Sequence, residues 1–277
     1  MTQSSRRCRT FAAGTASLAL TAAVAVAHDM FLKPAQYFVA PNAPIPTVLL
    51  NGTFDKSMNS IARVRLADIS ITGPSGRTRI DTVAWNPAGD TSHVVFKAGA
   101  AGTYVLGVST KANAIEMDGK EFNEYLKEDG LPDELARREK AGELGTGAKE
   151  RYEKHVKSIV QVGDARTAGF GTVLGYPAEI VPLENPYSLA KGASLRVRIL
   201  VDGQPVAGQY VTYGARTASG GTIAEQGHRS GADGVVAIPV TSPGVWYVKF
   251  INMRKLSKQA DEVTHQSKWA TLTFGAK

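Results

Sequence analysis

The sequence predicts a mainly β protein, built as two tandem β-sandwiches with a helical insertion between them. Three observations carry this expectation. Short runs of β-branched and aromatic residues, several alternating polar and apolar, recur before residue 110 and again after residue 187, with Gly, Pro and Asn-Gly turns between them. The stretch between the two series is crowded with charge and carries a helical stripe instead. Finally, Val94-Val95-Phe96 followed by Gly102-Thr103-Tyr104-Val105 is echoed by Val235-Val236-Ala237 followed by Gly244-Val245-Trp246-Tyr247-Val248.

The first series, residues 28–110, begins with Pro34, Pro41, Pro44 and Pro46, which forbid an early helix. Thr47-Val48-Leu49-Leu50 ends at Asn51-Gly52, a strand followed by a turn. Ile69-Ser70-Ile71-Thr72 alternates and stops at Gly73-Pro74-Ser75-Gly76. His93 to Phe96 and Gly102 to Val108 read as further strands.

Residues 111–162 form the predicted insertion. Phe122, Tyr125 and Leu126 fall on one helical face, and Gly130 ends that helix. Pro132 with Asp133 and Glu134 opens a second helix. Ala148 to His155 is expected to form a third, running into a strand at Ser158 to Val162. The carboxylates Glu121, Glu124, Glu128, Asp129, Asp133 and Glu134 read as a solvated face. Residues 163–187 are rich in Gly and Pro and suit a crossing. Residues 188–277 give the second sandwich: Ser194 to Leu200, a turn at Asp202-Gly203, Gln209 to Tyr213, a turn at Asp233-Gly234, Val235 to Val240, Val245 to Ile251, and Trp269 to Phe274.

Residues 1–27 have the three parts of a secretory signal. Arg6, Arg7 and Arg9 give a positive start, Phe11 onward is apolar, and Ala25-Val26-Ala27 is an A-x-A cleavage site. The expected location is therefore the periplasm, with no membrane span after cleavage. The leader holds three of the 32 basic residues and none of the 25 acidic ones, so 29 against 25 leaves the remainder at +4. That balance gives no nucleic-acid footprint. The single cysteine, Cys8, lies in the leader, which excludes disulfides, thiolate zinc sites and cysteine nucleophiles from the mature chain.

The turn order Val201-Asp202-Gly203-Gln204-Pro205, Gly231-Ala232-Asp233-Gly234 and Pro243-Gly244-Val245-Trp246-Tyr247 resembles a transthyretin-like or immunoglobulin-like module. Ala27-His28-Asp29-Met30-Phe31-Leu32-Lys33-Pro34, Lys157 to Gly163, Pro182 to Tyr187 and Trp269 to Phe274 resemble the family catalogued as domain of unknown function (DUF) 4198. Some members of that family accompany nickel or cobalt uptake systems. The resemblance implies a periplasmic protein with a divalent-metal role and a membrane transporter as partner.

Cleavage after Ala27 would make His28 the first residue. An α-amino group and an imidazole on one residue form a bidentate chelate for nickel, cobalt, copper or zinc. Asp29 could add an oxygen, and His93, His228 or His265 could complete the site. His93 reads as a strand-start residue, His228 as part of an exposed loop, His265 as part of a polar loop, and His155 as a helix-face residue. No H-x-H or H-x3-H spacing exists, so any site must be assembled by the fold. No G-x-S-x-G, Walker or H-E-x-x-H motif is present, and a non-enzyme is expected. The alternatives are a metal-free module that binds a protein or glycan and, third, copper redox chemistry at a histidine brace.

Overall fold

A computed structural model describes residues 28–257 and 262–277. The expected signal peptide lies outside the described residues. The described residues are mainly β, with eighteen strands and two α-helices. The predicted turns explain many of the boundaries. Strand Pro44–Gly52 ends at the Asn-Gly pair, and strands Leu66–Gly73 and Gly76–Arg79 form a hairpin through Pro74 and Ser75. Asp202 and Gly203 both adopt positive φ, 51° and 76°, as the tight turn after strand Ser194–Val201 requires.

The strands form three sheets. Asp29–Pro34, Pro44–Gly52, Thr91–Lys97 and Asn86–Ala88 make one small sheet. Ala178–Pro182, Ser194–Val201, Gln204–Pro205 and Val235–Pro239 make another. Between them runs a ten-stranded sheet that takes strands from both halves of the chain. Its two halves meet where Ala148–Val162 lies parallel to His265–Ala276, with Glu150 opposite His265 and Ile159 opposite Phe274. The sequence points to two separate β units; the structure joins them through this shared sheet.

Each small sheet covers one core. Met30, Leu32, Ile45, Leu49, Val94 and Phe96 pack against Leu106, Val156 and Val160 of the shared sheet. Ile180, Leu195, Val197 and Ile199 pack against Val211, Trp246, Val248 and Leu272. Trp85, Trp246 and Trp269 are all buried, as expected of core residues. The internal echo has a structural counterpart. In each copy the first strand lies in a small sheet and the second in the shared sheet.

The first two predicted helices are present. Helix α1, Gly119–Glu128, is opened by a reciprocal capping box between Asp118 and Glu121 and buries Phe122, Tyr125 and Leu126. Gly130 follows at φ +75°. Helix α2, Pro132–Lys140, starts on its proline. The third predicted helix is absent: residues 148–155 belong to the 15-residue strand Ala148–Val162. Its charged residues mimic a polar helix, but on a strand successive side chains point to opposite faces. Glu150, Tyr152 and Lys154 occupy one face, and His155 and Lys157 the other. The acidic residues of the insertion are not uniformly solvated either. Glu134 is buried against His265, and Asp129 has a carboxylate oxygen sealed from solvent.

Candidate functional site

Strand Asp29–Pro34 brings His28 to the junction of the small sheet, α1 and the shared sheet. The hydroxyls of Thr271 and Thr273 donate to the carbonyls of Met30 and Leu32 at 2.7 and 2.6 Å, which fixes the first strand onto the last. His28 itself is half-buried and lines two adjoining clefts.

One cleft, of about 380 Å³, is flanked by Asp29, Asp129, Glu225, Tyr247 and Lys249. Asp29 accepts from Lys249 Nζ at 2.5 Å, and Lys249 also pairs with Glu225 at 3.2 Å. Burial works against the Lys249 charge, but Asp29 and Glu225 outweigh it and hold the ammonium above its ordinary range. Two carboxylate oxygens of this cleft are buried without a partner, Asp29 Oδ1 and Asp129 Oδ2, and so is Glu150 Oε2 outside it. Burial, then the neighbouring Asp29, pushes the Asp129 carboxyl well above the usual range. Burial also raises Glu150, against hydrogen bonds from Ser267 and Tyr125.

The second cleft, of about 550 Å³, contains Arg65, Tyr152, Lys154, three asparagines and no carboxylate. Lys154 is 4% exposed. Its ammonium donates to the His28 carbonyl, lies 3.4 Å from Asn51 Oδ1 and sits 4.7 Å from the Trp269 ring centroid. Burial brings it down to about 8, against the pull of Asp29, Asp129 and Glu150. For His28, burial and then Lys154 lower the imidazole pKa, with Asp29 opposing. A neutral imidazole is the form that ligates a metal.

The structure does not gather the other histidines at His28. Neither cleft that His28 lines includes His93, His228 or His265. His93 belongs to strand Thr91–Lys97, opposite Val48, with Nε2 2.7 Å from Thr91 Oγ1. His228 is in strand Thr222–Arg229 at the edge of the shared sheet, rather than in a loop, and its ring meets Tyr213 edge-on. His265 opens the last strand and is 2% exposed; its Nε2 lies 3.0 Å from Glu134 Oε1 and its Nδ1 2.8 Å from Thr264 Oγ1. Both of its ring nitrogens are occupied. His155 lies on a strand as well. Burial drives it down to about 3, and its Nδ1 meets Ser109 Oγ at 2.9 Å. Asp29 does adjoin His28, but one of its oxygens is committed to Lys249. Among the described residues no three His, Cys, Asp or Glu side chains form a group able to hold a metal.

Sequence reasoning passed over Lys154, Glu150 and Lys249, and placed Asp129 on a solvated face. The available signal was the period-two placing of Glu150, Tyr152 and Lys154, which the helical reading of that segment hid.

The family model for the domain of unknown function DUF4198 matches residues 25–254. No curated protein matches the chain. Among the described residues no helix is long and apolar enough to cross a membrane.

Proposed function

The chain belongs to the DUF4198 family, and on that premise we propose that it is a periplasmic divalent transition-metal-binding protein, non-catalytic, that buffers nickel or cobalt or passes it to a membrane transporter. Copper also suits nitrogen ligands of this kind. The proposal rests on His28. It follows an A-x-A sequence directly, and its imidazole is held in the neutral form at the mouth of a carboxylate-lined cleft. Cleavage there would add an α-amino nitrogen to the same residue. Asp29 and Asp129 line that cleft, but among the described residues they form no metal-holding group with His28, so the proposed ligands are the two nitrogens of His28. His93, His228 and His265 are left out of the proposed ligand set. Such a set is open on one side, which suits a carrier that must release its cargo. In the same proposal the two cores are immunoglobulin-like sandwiches fused through the shared sheet.

Mass spectrometry of the secreted protein tests the premise, and a mature chain beginning anywhere but His28 would overturn it. Calorimetric titration with nickel, cobalt and copper tests the rest. His28→Ala is expected to weaken binding by about tenfold or more, the loss of at least 1.4 kcal/mol expected from removing one arm of a chelate. Equal metal uptake by both proteins would leave a metal-free protein- or glycan-binding module as the better description.

A further inference from the structure

We propose that the larger cleft beside His28 is a binding site for a small organic carboxylate. Two cations face it, Arg65 and Lys154, and no Asp or Glu lines it. Arg65 spends one terminal nitrogen on the Lys111 carbonyl at 3.1 Å, while its Nε is buried without a partner. Lys154 is buried; its ammonium reaches two neutral oxygens, the His28 carbonyl and Asn51 Oδ1, and lies over the Trp269 ring. Buried ammonium groups normally acquire a carboxylate partner, because an uncompensated charge out of water is costly. Here Asp29, Asp129 and Glu150 lie near enough to act on Lys154 through space, yet none forms an ion pair with it. A ligand carboxylate in the cleft would give Lys154 the direct ion pair that these three do not form.

The form of the site narrows the ligand. The Arg65 guanidinium lines the cleft with one terminal nitrogen on Lys111, and planar donation from its remaining terminal N–H groups fits a carboxylate. Tyr152 accepts from Asn113 Nδ2 at 3.1 Å, so its own hydroxyl proton is free to donate into the cleft. Met30, Met58, Ile61 and Ile115 supply apolar wall, which a bare inorganic anion would not use. The volume lies in the range of small-molecule sites. This site does not require a metal at His28, although a carboxylate bound there would lie beside one.

The test uses full-length mature protein, stripped of metal on a chelating resin and exchanged into buffer free of carboxylate and phosphate. Acetate, succinate, citrate and inorganic phosphate are titrated separately by calorimetry, with melting temperature as a second reading. Saturable one-site binding of a di- or tricarboxylate is expected, with phosphate weaker. Arg65→Gln, a half-exposed position that should not threaten folding, is expected to weaken it about tenfold or more, as is Lys154→Met; Arg65→Lys restores the charge but not the fork and recovers only part of the loss. No saturable carboxylate binding would overturn the proposal, as would phosphate binding as tightly. Binding seen only after nickel is added would also overturn it, since the metal rather than the cleft would then hold the anion. Metal-free carboxylate binding supports it even if the His28 titrations fail.

Discussion

Lys154 and Lys157 lie three residues apart on one strand and point to opposite faces of the shared sheet. Both are buried, and their surroundings differ completely. Lys157 meets Glu179 at 2.8 Å, and both side chains are almost wholly buried, at 3% and 1% exposure. The Glu179 carboxylate also accepts from the backbone N–H groups of Leu174, Gly175 and Tyr176, at 2.9, 2.7 and 3.0 Å. That cluster is complete and ties the crossing segment to the sheet. Lys154 has two neutral oxygens and an aromatic face, with a cleft in front of it. A buried charge with every partner in place acts as structure. One left open beside a cavity is an invitation to a ligand.

Breaking the closed cluster should have the largest effect. Glu179→Gln strands Lys157 and should cost about 3–5 kcal/mol in urea unfolding, in line with other broken buried pairs; a cost under about 1 kcal/mol would erase the contrast. Replacing the open lysine should act in the opposite direction. Lys154→Met fills the same space without charge and should raise stability at pH 7 by about 1–3 kcal/mol. The folded-state pKa of about 8 lies below the unfolded value, so the unfolded chain binds the extra proton between those limits. The Lys154 penalty in the wild type should therefore fade as pH climbs from 8 towards 10.5, and the gap to the methionine variant should close. Thermal melts across that range decide the matter, and a gap independent of pH would count against it.

The His265–Glu134 pair sharpens the comparison with a smaller effect. Burial raises the Glu134 carboxyl, but hydrogen bonds from His265 and Arg137 outweigh this and hold it at about 2. Its folded pKa is depressed, so its contribution is present above the ordinary carboxyl range and disappears as pH falls towards 2. Glu134→Gln should lose about 1–2 kcal/mol at pH 7, discounted because its partner Arg137 is partly exposed, and almost nothing near pH 2. Acid titration of both proteins by circular dichroism would show whether the curves converge.

Local chemistry was legible in the sequence. Gly73-Pro74-Ser75-Gly76 and Asp202-Gly203 mark turns because few residues tolerate the positive φ of Gly76, Asp202 and Gly203, Asn51-Gly52 marks a strand end, and Phe122, Tyr125 and Leu126 mark a helix face by spacing alone. The strand Ala148–Val162 was half hidden, since its partner His265–Ala276 is more than a hundred residues away and leaves no local trace. The site followed the same rule. His28 was visible from its place after Ala27. Asp129 and Lys249 were not, because what distinguishes them is burial beside Asp29 and not any motif.

The parallel pairing of Ala148–Val162 with His265–Ala276 also sets an order of events in time. Until the last strand exists, the first half of the chain carries an unsatisfied sheet edge across Glu150 to Ile159. An open edge is a template for wrong pairing, and contacts this distant in sequence form slowly. The first core draws only on residues 30–162, whereas the second needs Ala270, Leu272 and Phe274 of the final strand. The first can therefore pack early while its open edge waits for that strand, and the second closes only when the strand arrives.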